Sequence, residues 1–179
     1  MSEPSSFFLR AHITEERLEQ FMSAASTNIS DYDDWQAWFD AEQRMYGDAK
    51  EMLSDLAHCN KGSSRENVYA EHINYDKTTQ CVTMDHIFLS ESFSDFLPLV
   101  SCLRGMEKYI TPETQNNFLV IYPYWWEAGN EVNIGIEFAD NESHITAVLQ
   151  EENKAIADAF FDEHAEALAK ELYNKQGYI

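Results

Sequence analysis

Asn117–Trp126, NFLVIYPYWW, followed by Glu131–Ala139, EVNIGIEFA, decides the fold. The first run is almost continuously apolar and aromatic, and in the second Val132, Ile134, Ile136 and Phe138 alternate with other residues. Glu127-Ala128-Gly129-Asn130 lies between them and reads as a turn, so the pair predicts a β-hairpin. Pairing across that turn sets Trp125 beside Val132, Ile121 beside Ile136 and Leu119 beside Phe138, an apolar face for helices to cover. The opposite face then carries Tyr122, Tyr124 and Trp126 beside Gly135, Asn133 and Glu131, with Glu137 further along. Two readings of that face stand side by side. It is a docking surface, where Tyr and Trp serve as anchors, or it is core beneath a second helix layer. A one-residue change in the turn exchanges the two faces.

Working outward, a hairpin is also expected where Asn67–Tyr75 and Thr79–Leu89 flank Asp76-Lys77-Thr78. Phe7–Ile13 forms a further β-type run. Helices fall between these strands. Thr14 is an N-cap ahead of Glu15 and Glu16, and the spacing predicts a helix over 15–26. Trp35, Trp38, Phe39, Glu42, Met45, Tyr46, Ala49, Met52, Leu53 and Leu56 predict a longer one, closed by the Asn60–Ser64 loop. Ser92 and Asp95 make a capping box for a helix that includes Pro98. A terminal helix is expected over 146–174, with Val148, Leu149, Ile156, Phe160, Ala167, Leu168 and Leu172 on its buried side. The order is β-α-α-ββ-α-ββ-α: an α+β domain spanning 1–179, with a mainly antiparallel sheet of about five strands. A ferredoxin-like core with an extra helix is compatible with it.

Charge is the unusual property. Asp and Glu number 32 against 12 Lys and Arg, a net charge of −20 with His neutral. Solubility needs only a magnitude of about 2–8 in a small domain, and the excess costs stability by self-repulsion. The plain explanation is a highly soluble or salt-adapted protein. The sharper one is complementarity to a basic partner, which speeds encounter and suppresses wrong pairings. Direct nucleic-acid binding is disfavoured, because that needs a basic footprint. The acids gather in segments: Asp31, Asp33 and Asp34; Glu127 and Glu131 at the hairpin tip; and Asp158, Asp162, Glu163 and Glu166 on the last helix. Each alone is also what a solvated face looks like.

Catalytic and metal signatures are missing. Cys59, Cys81 and Cys102 are widely spaced with no C-x-x-C, which reads as reduced thiols in a cytoplasmic protein. His58-Cys59 lacks further ligands at zinc spacing, so no metal and no cofactor are expected. There is no nucleophile elbow, P-loop, dinucleotide fingerprint or H-E-x-x-H. His86 has apolar neighbours and reads as a core residue. The opening MSEPSSFFLRAHITEE has no export signal, and no stretch is apolar enough to span a membrane.

With Asp31-Tyr32-Asp33-Asp34-Trp35 and Tyr122-Pro123-Tyr124-Trp125-Trp126 as acidic-aromatic segments, the chain resembles bacterial immunity proteins of the polymorphic-toxin or contact-dependent type. The resemblance is one of size, acidity and α+β pattern, and no residue role carries over with it. It implies tight binding to a cognate toxin domain, often a basic nuclease. The expectation is therefore a non-catalytic, acidic binding protein for a basic partner. Its contact residues are read as Asp31, Asp33, Asp34, Tyr122, Tyr124, Trp126, Glu127, Glu131 and Glu137. A DNA-mimic inhibitor of several nucleic-acid-binding proteins is one alternative. A small enzyme with a pocket gathering His72 or His86 with two acids is another.

Overall fold

A computed structural model describes residues 5–42, 70, 72–90, 93–122 and 134–175. Six strands form one antiparallel sheet: β1 (Ser5–His12), β2 (His72–Asp76), β3 (Cys81–Ser90), β4 (Phe118–Tyr122), β5 (Ile134–Ala139) and β6 (Glu142–Thr146). Their spatial order is β2-β3-β1-β4-β5-β6. The α-helices among the described residues are α1 (Glu15–Ser23), α2 (Trp35–Glu42), α3 (Phe93–Arg104) and α4 (Glu151–Lys175). The fold is α+β with a mainly antiparallel sheet.

The strand count and order differ from expectation by one element. The segment read as loop and helix start contains β6, so among the described residues the order is β-α-α-ββ-α-βββ-α and the last helix begins at Glu151. The turn before β6 explains the difference. Asp140 and Asn141 have φ of 54° and 63°, the pair of left-handed residues a two-residue type I′ hairpin requires. The strand after it, ESHIT, has one large apolar residue, too few for alternation to show. Val148, assigned to a buried stripe, is 78% exposed and precedes the helix. The ferredoxin-like alternative remains compatible with the topology: β2-β3-β1-β4 is the strand order of a β-α-β-β-α-β core, whose split βαβ units leave every neighbouring pair antiparallel, as β1 is to both β3 and β4.

The decisive hairpin is present in its described part with a shifted register. Leu119 pairs with Ile136 and Ile121 with Ile134, two residues from the expected partners. Strand faces repeat every two residues, so that shift leaves each side chain on its predicted face. The Trp125–Val132 pair, the intervening turn and the continuation of the second helix beyond Glu42 lie outside the described residues.

Both faces of the sheet are covered. Phe7, Leu9, Val82, Met84, Leu119, Ile121, Ile134 and Ile136 pack with Phe21, Trp35, Phe96, Val100 and Leu103 from α1, α2 and α3. On the other face Phe8, Phe118, Val120 and Tyr122 pack against Leu149, Ala157 and Phe161 of α4 and its approach. Local signals hold the ends. Thr14 Oγ1 accepts from the Arg17 N–H at 3.3 Å, capping α1 as expected. Asp76 takes bonds from Thr79 Oγ1 and the Thr78 N–H, both at 2.8 Å, at the β2–β3 turn. Those two donors hold its carboxyl below the usual carboxylate range. Gly135 has no room for a side chain: a Cβ there would lie 2.9 Å from Thr146 Cγ2 and 3.0 Å from its carbonyl oxygen.

Candidate functional site

The loop between α1 and α2 folds on itself before it meets anything else. Asn28 caps a 3₁₀ turn over Ile29–Asp31, and Asp31 Oδ2 accepts the Asn28 N–H at 2.8 Å in return, a capping box. This places Tyr32 over the guanidinium of Arg104, 3.9 Å from ring centroid to Cζ. Asp34 grips the same guanidinium bidentately, at 2.7 Å to Nη1 and 2.8 Å to Nη2. Arg104 sits at the end of α3, and its side chain is 1% exposed. Its remaining donors go to β6: Nε to Ser143 Oγ at 2.9 Å and Nη2 to the Ser143 carbonyl at 2.7 Å. Ser143 Oγ in turn donates to Glu107 at 2.6 Å, and Asp34 Oδ2 also accepts the Ile145 N–H at 3.0 Å. A buried charge is tolerated when it is paired and well hydrogen-bonded, and this one has a carboxylate partner and four hydrogen bonds. Burial pushes the Tyr32 phenol up to about 12.

Above this network lies a hollow of about 520 Å³, whose carboxylates are Asp31, Asp33, Asp34, Glu107 and Glu142. Asp31, Asp33 and Glu142 are exposed and Glu107 half-buried. Facing them are the buried Arg104, already held by Asp34, and His144, which contacts Glu142 at 3.4 Å. The hollow is therefore strongly negative at neutral pH.

Two more hollows lie along the same side of the β5–β6 hairpin. A smaller one of about 130 Å³ shares Glu107 with the first and adds Glu113 and Asp140. A third, of about 320 Å³, adjoins that one through Thr114, Asn117, Phe138 and Ala139, and brings Glu137 and Glu152. A chain of acidic hollows thus follows the outside of the β5–β6 hairpin from the α2 end to the start of α4.

The expected contact residues divide four ways. Asp31, Asp33 and Asp34 come together at the first hollow, although Asp34 is committed to Arg104. Glu137 stands apart from them at the third, where it accepts the Gln150 N–H at 2.9 Å. Tyr122 is on neither. It is 0% exposed beneath α4, with its hydroxyl donating to Asp158 at 2.6 Å. Burial and that carboxylate push its phenol far above the usual range. For Tyr122 the helix-covered reading of the face holds. Tyr124, Trp126, Glu127 and Glu131 lie outside the described residues.

Arg104, Glu107 and Glu142 were absent from the sequence reading. Arg104 left one trace there, a lone guanidinium closing an apolar helix in a chain short of cations. Glu142 belonged to the unrecognised strand.

One His–carboxylate pair stands elsewhere. His72 Nδ1 lies 2.9 Å from Oδ2 of Asp85, which is 1% exposed on β3. His86 is the next residue along that strand, so it points to the opposite face. Neither His lines the three hollows. Cys81 and Cys102 are buried free thiols, and burial pushes the Cys81 thiol up. Among the described residues no group of three or more His, Cys, Asp or Glu is arranged to hold a metal ion, and no helix is long and apolar enough to cross a membrane. No family model matches the chain, and no curated protein and no solved structure matches it.

Proposed function

We propose that the protein acts by binding, not catalysis: it neutralises a basic partner, in the manner of an immunity protein that blocks a cognate toxin domain. The observation that carries this reading is the first hollow. Its exposed Asp31, Asp33 and Glu142 stand beside a guanidinium that is buried and already paired, and among the described residues no lysine lines the hollow to offset them. The net charge of −20 extends the same field over the molecule. A basic nuclease domain fits this chemistry, because a surface built to hold phosphates also attracts clustered carboxylates. In this reading the charges steer the partner in, and buried contacts then determine how long it stays.

The test identifies the product of the neighbouring reading frame, expected to be a basic protein, and follows its association with this chain by stopped-flow fluorescence at rising salt. The rate is expected to fall steeply as the Debye length shrinks from about 10 Å at 0.1 M to about 3 Å at 1 M. Asp33→Asn with Glu142→Gln should lower the low-salt rate and leave the high-salt rate unchanged. A rate indifferent to salt and to both substitutions overturns the proposal.

A further inference from the structure

Among the described residues each hollow is lined by a side chain with a buried, unpartnered polar atom: the Tyr32 hydroxyl at the first, the Thr111 hydroxyl at the second, and at the third the Asn153 amide oxygen, which can only accept. Asn153, in the first turn of α4, is 3% exposed and lines that third hollow, and its Oδ1 has no hydrogen-bond partner. A buried acceptor left unpaired costs free energy that a ligand donor can recover. The amide is not reversed, because its Nδ2 donates to Glu137 Oε1 at 3.4 Å, and an oxygen there would face a carboxylate. The neighbours of that acceptor are also acceptors. Glu137 Oε2 takes one bond, from Gln150 Nε2 at 3.2 Å, and Glu152 Oε1 takes one, from Asn116 Nδ2 at 3.1 Å. The N-terminus of α4 favours anions by its dipole. Here that demand is already met by Glu137 on the Gln150 N–H and by Glu151 and Glu152 in the first turn. What remains open is a demand for N–H donors carrying positive charge.

We propose that this hollow receives an arginine side chain of the basic partner, with Asn153 Oδ1, Glu137 and Glu152 accepting from its guanidinium. The inference rests on the basic-partner reading above and gives it a specific anchor. Guanidinium suits the site better than ammonium for two reasons. It spreads five donors in a planar fork, matching acceptors on separate residues, and it is less strongly hydrated, so entering a partly enclosed hollow costs less. Phe138 and Ala139 in the wall suit its flat, weakly hydrated face.

The experiment titrates the ¹⁵N-labelled full chain with methylguanidinium chloride, against methylammonium chloride and sodium chloride at equal ionic strength. Amide shifts are expected to concentrate at Gln150, Glu152, Asn153 and the Asn116 side chain, and to be larger for methylguanidinium. Glu152→Gln keeps an acceptor for Asn116 and removes only charge, so it should weaken binding about two- to five-fold. Asn153→Leu removes the orphan acceptor at similar side-chain size, so the localised methylguanidinium shifts should be lost. Circular dichroism spectra matching the parent would show both variants folded. Shifts spread evenly over all acidic residues, or equal shifts for the three cations, overturn the proposal. The two readings fail separately. Localised methylguanidinium binding with a salt-independent partner rate removes the function and keeps the hollow. A salt-dependent rate without localised shifts removes the hollow and keeps the function.

Discussion

Asp34 serves three elements through one carboxylate: it ends the loop before α2, grips Arg104 of α3 and accepts the backbone of β6. Removing charge on one side only leaves the other buried without a counter-ion, which typically costs about 3–5 kcal/mol. Asp34→Asn should therefore destabilise the protein by about 3 kcal/mol, as should Arg104→Met. Arg104→Lys should also fall short, because an ammonium cannot reproduce the two-pronged contact or lie flat against Tyr32. Urea unfolding followed by tryptophan fluorescence measures all three. The double variant Asp34→Leu with Arg104→Met should recover part of the loss, since an apolar pair of similar volume needs no partner. At this scale the sequence was informative about which acids gather and silent about what each one does. Asp31, Asp33 and Asp34 are neighbours in the chain and at the hollow alike, yet only tertiary contact with Arg104 separates the structural carboxylate from the exposed ones.

Elements were legible where their periodicity was strong and obscure where a turn did the work. Thr14 with Glu15 and Glu16, the Asp76 turn and the alternation of β5 are local signals, and each element stands where those signals put it. The β5–β6 hairpin depends instead on Asp140 and Asn141 both taking positive φ, and on a strand whose residues are mostly polar. Its existence decides where α4 begins, and so where Glu137 can meet Gln150 and Asn153. Gly135 is the contact point between β5, β6 and the approach to α4. A methyl group there would press on the Thr146 carbonyl at 3.0 Å and on Leu149 Cδ2 at 3.2 Å. Gly135→Ala should cost about 1–3 kcal/mol by overpacking, measured by thermal unfolding. Hydrogen exchange should localise the loss to β6 and the first turns of α4, with β2 and β3 unaffected.

Across the whole molecule the dominant quantity is the net charge of −20, which pushes the folded chain apart as well as drawing a cation in. The melting temperature at neutral pH should therefore rise when sodium chloride is raised from 0.02 M to 0.5 M, by roughly several degrees per kcal/mol of repulsion screened. A flat response would place the carboxylates too far apart to repel. The two-sided covering of the sheet was not deducible from the decisive hairpin alone, because Phe118, Val120 and Tyr122 serve equally well as core or as surface until α4 is placed over them. The position of β1 carries a last consequence. Phe7 lies between His86 of β3 and Ile121 of β4, so the earliest strand of the sheet is also an inner one, bonded on both edges to segments that follow much later. During synthesis on the ribosome, this strand must wait for β3 (Cys81–Ser90) and longer still for β4 (Phe118–Tyr122) before both of its edges are paired. Pairings so distant along the chain make for slow folding. The repulsion among its many carboxylates then acts as a safeguard, keeping nascent copies from joining one another through those open edges.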